Sequence, residues 1–365
     1  MKKILINASN LHFGGGVQVA SSFINELCSI DPVGINIDIV CSSKVFENIK
    51  FHNSELTQIN LTVVDVYGFK GSQLLYNLGV YDVCFTIFGP FYGRVPAKKH
   101  ICGFAQPWIA YDTSLVTNRY SITSKCKLRT KYLVQELLFK KYDALIVETE
   151  DVKSKLEEKG FRNEISVVSN TYARLFDFPE EWAELDTNFV KRKLTLGFIG
   201  KSYPHKNLEV LKDVNEHLSK IYNLDVDFLF TLSPDDMAEL GLSSVSNFHS
   251  VGELTSDQCP NFFRLIDALV FPSLLECFSV SPIEALKMNT IVFASDLSFI
   301  RNVYGESMIY IDPLSSTNIA KVIAENINDS DLHRVKLNEG SKILQALPTS
   351  TDRARKYLDI IGIWS

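Results

Sequence analysis

Short apolar runs alternate along this chain with stretches in which apolar residues recur every three or four positions. The runs predict buried strands, and the recurring pattern predicts amphipathic helices. The first strand, Lys3 to Asn7, leads through the loop Ala8 to Gly16 into a helix. The apolar positions of that helix are Val17, Ala20, Phe23, Ile24 and Leu27. Further strands are predicted at Ile35–Cys41, Leu61–Val66, Val83–Ile87, His100–Phe104, Ala144–Val147 and Ile165–Val168, with a helix near Asp151–Lys159 after the fifth of them.

The alternation pauses between residues 171 and 190, a segment rich in aromatic and acidic residues, and resumes with a strand at Leu194–Ile199. Strand and helix in turn are typical of parallel sheets with helices on both faces. The chain therefore predicts an α/β protein with one such domain in residues 1–170, a linker, a second domain in residues 191–348 and a terminal helix in residues 349–365.

The segment Asp267 to Leu286 carries the most chemistry. A strand at Ala268–Phe271 precedes Glu276 and Glu284, which lie eight positions apart around a predicted helix start. Pro282 suits a first helical turn, and Ser279 and Ser281 are candidate N-caps. Two carboxylates and free helix N–H groups beyond the carboxyl end of a strand suit a phosphorylated sugar.

This segment resembles the motif of the retaining glycosyltransferases of family 4, which have the GT-B fold. Their motif E-G-F-G-L-P-x-[IL]-E-A stands here as Glu276-Cys-Phe-Ser-Val-Ser-Pro-Ile-Glu284-Ala285. Flanking family phrases appear at 247–252, at 289–295 and near Tyr310 and Pro313. The resemblance implies two Rossmann-like domains facing across a cleft, with the acceptor bound by the first, the nucleotide sugar by the second, and the terminal helix crossing back to the first. The alternative is that Glu276 is a solvated loop residue and Glu284 a surface helix residue.

The resemblance also implies roles for single residues. Glu284 is expected to bind the ribose hydroxyls and Glu276 the donor sugar, while Lys201 and Lys206 neutralise the diphosphate. The family usually has arginine where this chain has Lys201, which keeps the charge and loses the bidentate geometry. Backbone contacts to the donor are expected from the four residues after Glu276. These are Cys277, Phe278, Ser279 and Val280, with Cys277 and Ser279 at positions where the family has glycine.

In the first domain the run Gly14-Gly15-Gly16 follows the first strand. A nicotinamide site would need an acidic residue near the end of the next strand, but Asp38 lies inside that strand. The resemblance instead implies that Gly15 and Gly16 lie near the donor diphosphate or the acceptor. The family's usual histidine is absent from the phrase 103–108, where two candidate sugar contacts are considered together with two loop histidines. The candidates are Gln106, Trp108, His12 and His205, each with a plain structural role as the alternative.

Neither acidic pair suggests a metal site. Asp225 and Asp227 fall in a predicted strand, and Asp235 and Asp236 follow a proline in a predicted turn, so surface positions are expected for all four. We expect transfer without metal or cofactor, with a nucleotide sugar as substrate.

Composition and charge indicate the cellular location and the kinds of binding partner. Seven scattered cysteines among 365 residues favour a reducing cytoplasm over disulfides. The N-terminal apolar run breaks at Asn7, which favours a strand over a signal peptide. The formal charge of −6 disfavours nucleic-acid binding, yet seven basic residues and one glutamate lie between 119 and 141. These basic residues, beside apolar Tyr132, Leu133, Leu137, Leu138 and Phe139, predict docking on an anionic membrane surface; a solvated helix face is the alternative. The cluster comprises Arg119, Lys125, Lys127, Arg129, Lys131, Lys140 and Lys141.

Together these features predict a retaining hexosyltransferase that uses a UDP- or GDP-sugar and a glycan acceptor. A lipid-linked O-antigen, lipopolysaccharide or capsule intermediate is the expected acceptor, which places the enzyme in the cytoplasm or on the inner membrane face. A GT-B sugar-nucleotide epimerase and a binding subunit without catalysis remain as alternatives.

Overall fold

The structure is a computed structural model that describes residues 2–30, 35–49, 59–93, 95–118 and 120–364. The chain divides into two compact units. The first comprises residues 1–173 and 348–365, and the second comprises residues 174–347.

The first unit is built on a parallel sheet of seven strands in the order β3-β2-β1-β4-β5-β6-β7. Its centre is occupied by almost wholly buried aliphatic and aromatic side chains, among them Ile4, Ile6 and Phe85. The strands are β1 (Lys2–Ala8), β2 (Ile35–Cys41), β3 (Ile59–Val63), β4 (Tyr81–Thr86), β5 (Ala97–Gly103), β6 (Ala144–Val147) and β7 (Glu164–Val167).

Helices cover this sheet, and the last helix of the chain belongs to the same unit. The rings of Phe23 and Tyr357 meet edge to face, with centroids 5.1 Å apart, and this contact packs the last helix on the first. The helices are α1 (Gly14–Ser29), α2 (Ser43–Glu47), α3 (Gln73–Tyr76), α4 (Pro107–Ala110), α5 (Ser114–Thr117), α6 (Ile122–Phe139), α7 (Glu150–Glu158) and, at the end of the chain, α15 (Ser350–Trp364).

The second unit has a six-stranded parallel sheet in the order β10-β9-β8-β11-β12-β13. Phe228, Phe230 and Phe248 pack together in its core. Its strands are β8 (Thr195–Phe198), β9 (Asp227–Phe230), β10 (Phe248–Ser250), β11 (Ala268–Phe271), β12 (Ile291–Ser295) and β13 (Ile309–Ile311). Its helices are α8 (Val210–Tyr222), α9 (Pro234–Glu239), α10 (Cys259–Leu265), α11 (Ser281–Lys287), α12 (Ser298–Tyr304), α13 (Ser316–Asn326) and α14 (Ser330–Ala346).

Two sequence-based boundaries were wrong. The glycine run was predicted to lie in a loop, but Gly14–Gly16 form the first turn of α1, and Gly14 has a φ of +64° that an L side chain rarely adopts. The third strand ends at Val63, not Val66, because the chain leaves the sheet after pairing with β2. Gly16 leaves little room for a larger side chain, since a Cβ there would lie 3.3 Å from Leu11.

Candidate active site

The candidate site of the second unit lies where its strand order reverses. β8 and β11 are neighbours at the centre of the sheet, and the strands that follow each of them along the chain extend to opposite sides. In open α/β sheets the carboxyl ends of such a pair border a ligand-binding crevice. The loops after β8 and β11 contain Lys201, Lys206 and Glu276, so these residues lie beyond the carboxyl ends of this strand pair.

The loop after β8 holds Lys206 through backbone geometry. Gly200 has a φ of +139° and its N–H donates to Thr231 Oγ1 over 3.0 Å. A single 3₁₀ turn, Pro204–Lys206, then ends at Asn207, which takes the left-handed conformation and donates from Nδ2 to the Pro313 carbonyl over 2.8 Å. These bonds fix the backbone that carries Lys206.

Lys206 pairs with Glu276. Lys206 Nζ lies 2.6 Å from Glu276 Oε1, and the two side chains are 12% and 10% exposed. The Leu274 N–H donates to the His205 carbonyl over 2.7 Å, which joins the two loops beside the ion pair. The prediction that Glu276 is more than a solvated loop residue is in keeping with this burial.

Glu284 lies one turn into α11 and is 5% exposed. Burial raises the pKa of its carboxyl to about 7. Within the described residues, no hydrogen bond or ion pair to its side chain is found. A buried carboxylate that lacks a protein partner is costly, and such groups are characteristic of ligand sites.

His205 is also changed by burial. Desolvation lowers the pKa of its imidazole to about 4, although Glu276 acts in the opposite direction. Its ring stacks on Tyr203, with centroids 5.5 Å apart. His205 is therefore neutral at pH 7 and adds no positive charge to the site.

Lys201 has a different partner from Lys206. Its ammonium pairs with Glu253, a side chain that is 54% exposed. Glu253 had no place in the sequence-based site, although it directly follows the family phrase that ends at Gly252. Ser273 was also missed; it lies just beyond β11, and its buried Oγ has no hydrogen-bond partner in the described part of the structure.

The start of α11 differs from its prediction. Val280 is the N-cap residue and no side chain caps the helix, so the prediction that Ser279 or Ser281 is the N-cap was wrong. Ser281 is already helical and its Oγ lies 3.5 Å from the Ile199 carbonyl, while the Ser279 carbonyl accepts from the Tyr304 hydroxyl. Cys277 and Ser279 are buried, whereas Phe278 and Val280 are half-buried.

In the first unit, the carboxyl end of β1 leads to the glycines and to His12. His12 is 8% exposed, with Nε2 2.9 Å from the Val66 carbonyl and Nδ1 3.6 Å from Asp65. Its ring stacks on Tyr67 at 3.9 Å. A Cβ at Gly15 would meet no atom within 4 Å, so the surface there is open.

Two further candidates lie near α4. Gln106 is half-buried and precedes the helix without capping it through its side chain. Trp108 is half-buried, and its indole stacks on Tyr132, with centroids 5.3 Å apart and planes inclined by 4°. One face of the indole is therefore occupied by a contact within the first unit.

The acidic pairs do not all lie on the surface. Asp227 is 8% exposed and lies 3.4 Å from Lys193 and 3.2 Å from His249, so its predicted surface position was wrong. Asp225 precedes β9, where it is exposed. Asp235 and Asp236 were predicted to lie in a connecting turn, but they belong to the first helical turn of α9. In the described ranges no three His, Cys, Asp or Glu side chains are grouped as metal ligands.

The basic segment is mostly α6. Arg119 lies outside the described residues, and the other six basic residues lie on α6 or directly after it. Only part of the predicted apolar surface is exposed: Phe139 is buried and Tyr132 and Leu138 are half-buried, because these side chains face the unit. No helix in the described part of the chain combines the length and the hydropathy needed to span a membrane.

A model of the family described as glycosyl transferases group 1 matches residues 193–329, most of the second unit. The second unit is a group 1 glycosyltransferase domain. A curated relative, the O-antigen chain mannosyltransferase RfbU of Salmonella typhimurium, is 27% identical over 135 residues. That match covers 35% of this chain and 37% of the relative, so it spans little more than a third of either protein.

Solved structures resemble the whole chain. Sucrose-phosphate synthase from Thermosynechococcus elongatus superposes with a TM-score of 0.71 at 13% identity, covering 99% of this chain and 98% of that one. A glycosyltransferase from Rickettsia africae gives 0.64 at 15% identity, with coverage of 100% and 98%. A UDP-forming trehalose-phosphate synthase from Burkholderia vietnamiensis gives 0.70 at 8% identity, also with 100% and 98%. Together with the two parallel-sheet units, these similarities confirm the GT-B fold, in which the glycosyltransferase domain is the second unit.

Proposed function

We propose that this protein is a retaining glycosyltransferase that moves a hexosyl residue from a UDP- or GDP-sugar to a glycan. The glycosyltransferase domain and the relative's name support transfer. The observation that carries the assignment to a particular site is Glu284, a buried carboxylate beyond β11 for which the described residues offer no hydrogen-bond or ion-pair partner.

In this proposal Glu284 binds the ribose of the donor. Its carboxylate accepts two hydrogen bonds from the adjacent hydroxyls, which supply partners that none of the described side chains provides. Because hydrogen bonds favour the ionised carboxylate, donor binding lowers the raised pKa of Glu284 and releases a proton below pH 7.

Lys206 and Lys201 contact the diphosphate. Both ammonium groups already pair with carboxylates, Glu276 and Glu253, so the donor must share or replace these partners. As the bond between the anomeric carbon and the phosphate breaks, negative charge grows on the leaving diphosphate, and a lysine held in a partly buried site stabilises it.

Glu276 orients the donor sugar through its hydroxyl groups. The acceptor hydroxyl attacks the anomeric carbon on the face that the diphosphate leaves, so the configuration is retained. The new C–O bond forms as the C–O bond to phosphate breaks, and the acceptor proton passes to the leaving phosphate oxygen. His205, neutral at pH 7, is a further hydrogen-bonding group in this loop.

The first unit binds the acceptor in this proposal, with the open surface at Gly15 and the more crowded Gly16 beyond β1, and with Gln106 and Trp108 as sugar contacts. A lipid-linked surface-glycan intermediate is the acceptor we propose, by analogy with the O-antigen relative, and such an acceptor places the protein at the inner face of the cell membrane. We further propose that no metal is needed, because the two lysines supply positive charge to the diphosphate.

Release of nucleoside diphosphate tests the proposal. Purified protein is supplied with UDP- or GDP-sugars, with and without a lipid-linked acceptor, in the presence of EDTA. Acceptor-dependent release from one donor supports the transferase, and an anomeric assignment of the product by NMR tests retention. Interconversion of the donor sugar without an acceptor would indicate an epimerase, and binding without turnover would indicate a subunit that lacks catalysis.

A further inference from the structure

One face of α6 packs on the first unit. Gln135 and Phe139 are buried, Gln135 Nε2 donates to the Tyr92 hydroxyl over 2.7 Å, and the rings of Phe139 and Phe104 lie 4.7 Å apart. Tyr132 lies on the same face and stacks on Trp108. These contacts fix which side of the helix faces away from the unit.

The opposite face is mostly apolar, with the polar Thr130 at its middle, where the Thr130 hydroxyl donates to the Cys126 carbonyl. Its residues follow one another at intervals of four, four, three and four positions, which keeps side chains on one side of a helix. Their exposure is high: Ile122 80%, Leu133 52% and Leu137 62%. We call this face the outer stripe, and it comprises Ile122, Cys126, Thr130, Leu133 and Leu137, with the neighbouring Val134 46% exposed.

Basic side chains border the outer stripe on both sides. Glu136 is the single acidic residue of the helix, and it pairs with Lys140 over 2.6 Å. Five further basic residues lie on α6 or directly after it, and none of them forms an ion pair with a carboxylate of a described residue. These five are Lys125, Lys127, Arg129, Lys131 and Lys141.

We propose that α6 lies flat in the surface of an anionic lipid bilayer, with the outer stripe among the acyl chains and its basic borders at the headgroups. An apolar stripe between basic rows is the pattern of interfacial helices. Eighteen residues of helix extend over roughly 27 Å, which gives a contact line along the membrane instead of a span. Docking through α6 does not depend on the proposed chemistry.

The charge distribution favours a bilayer over a second copy of the chain. Two copies of this face would place their basic rows side by side, and like charges at such distances repel. Anionic lipids attract both rows at once. Phe69, 73% exposed and in ring contact with Tyr92 beside α6, adds a further apolar side chain next to this surface.

Co-sedimentation of the full chain with vesicles tests the proposal, using phosphatidylcholine alone and phosphatidylcholine mixed with phosphatidylglycerol. The wild type is expected to bind the mixed vesicles only, and less strongly as salt is raised. Lys127→Gln/Lys131→Gln should lower the partition coefficient about 30-fold. Leu133→Gln/Leu137→Gln should lower the partition coefficient roughly tenfold or more, although Lys127 and Lys131 remain in place.

Matched controls carry the same changes on exposed helices of the second unit. Ile221→Gln/Val335→Gln and Arg334→Gln/Lys342→Gln should bind as the wild type does. Circular dichroism shows whether each variant is folded. If the α6 variants bind as well as their controls, or if the wild type binds neither vesicle, the proposal is overturned.

A fluorophore on Cys126 separates insertion from simple attraction. Cys126 is exposed, whereas the other cysteines with described side chains are buried, so its thiol is the most accessible of these. Labelled protein should show a blue-shifted emission with mixed vesicles. The Cys126→Ser variant, treated with the same fluorophore, reports any signal from labelling at other cysteines. Vesicle binding without a blue shift would contradict insertion of the outer stripe. A leucine variant that changes its oligomeric state, in a protein that does not bind vesicles, would contradict it as well.

Discussion

Lys206 Nζ lies 2.6 Å from Glu276 Oε1, although the two residues are 70 positions apart in the sequence. Each side chain is about nine-tenths buried, so each is the other's main compensation for lost hydration. The pair joins the loops that follow two neighbouring strands, and a donor diphosphate would enter a site where these charges are already balanced.

The first prediction concerns the stability of this pair. Lys206→Met and Glu276→Gln should each lower the free energy of unfolding by about 3 kcal/mol at pH 8, because each leaves a buried polar partner uncompensated. The double variant should lie closer to the wild type than the sum of the two. Urea unfolding of all four proteins measures the coupling. The exposed pair Glu216 and Lys220 is the control, and its coupling should be far smaller. An equally small coupling between Lys206 and Glu276 would contradict the account.

The second prediction is that Glu284→Gln stabilises the protein without ligand in a pH-dependent way. Burial raises the pKa of this carboxyl from 4.5 to about 7, so ionising it costs stability in the folded state. The cost is absent below the unfolded pKa, grows between pH 4.5 and 7, and reaches roughly 3 kcal/mol above that range. The variant should therefore match the wild type near pH 4 and exceed it at pH 8, as measured by urea unfolding. A difference that stays constant with pH would show that Glu284 does not titrate in this way.

The third prediction concerns Glu253. Glu253→Gln releases Lys201 from its carboxylate partner, so the donor no longer has to compete for that ammonium group. Since exposed ion pairs contribute up to about 1 kcal/mol, the Kd for the donor should fall by roughly threefold to fivefold at low salt. Lys201→Gln should raise it. Calorimetric titration at two salt concentrations checks both, and weaker binding by Glu253→Gln would mean that Lys201 needs its partner.

The fourth prediction concerns the terminal helix. Arg353 is 2% exposed; its guanidinium bonds the Asn170 amide oxygen and, over 2.8 Å, Ser22 Oγ, and burial lowers its pKa. Arg353→Met should cost about 3 kcal/mol or more, because it removes a buried positive charge that interacts with the carboxylates of Glu148 and Glu26. Hydrogen exchange should increase in first-unit peptides only.

The exposed neighbour Arg355 provides the control for that variant. Arg355→Met should leave hydrogen exchange unchanged in both units. Equal exchange in the Arg353 and Arg355 variants would show that the buried guanidinium does not hold the helix.

Local patterns were enough to predict much of the fold. The bounds of β2, β6 and β11 agree with the prediction, because β6 and β11 are dense apolar runs in a parallel sheet and β2 has apolar residues at alternate positions. Pairings between distant residues left no such signal. Nothing in the residues around Lys201 indicates Glu253 as its partner, since a salt bridge depends on how two loops meet in space.

The direction in which side chains point was the other feature that could not be predicted from the sequence. Ser279 and Ser281 have the residue type of an N-cap, yet the helix starts from Val280, because the backbone turns there. In α6 the order of residues did not show which apolar side chains face the unit, so Phe139 was grouped with Leu133 although one is buried and the other exposed. The packing of Gln135 and Phe139 decides that orientation, and it comes from the rest of the unit.

The measurement that tests the central claim most directly is calorimetric titration of the wild type and Glu284→Gln with UDP- and GDP-sugars, alongside Glu216→Gln as an exposed control. The wild type and the control should bind one donor class equally, and Glu284→Gln should bind it at least about 30-fold more weakly, because two hydrogen bonds to a charged acceptor are weakened. The wild type and the control should also distinguish the nucleotide from its 2′-deoxy form, whereas Glu284→Gln should not. Equal binding by Glu284→Gln, or no binding of either donor class by the wild type, would contradict a nucleotide-sugar site at Glu284.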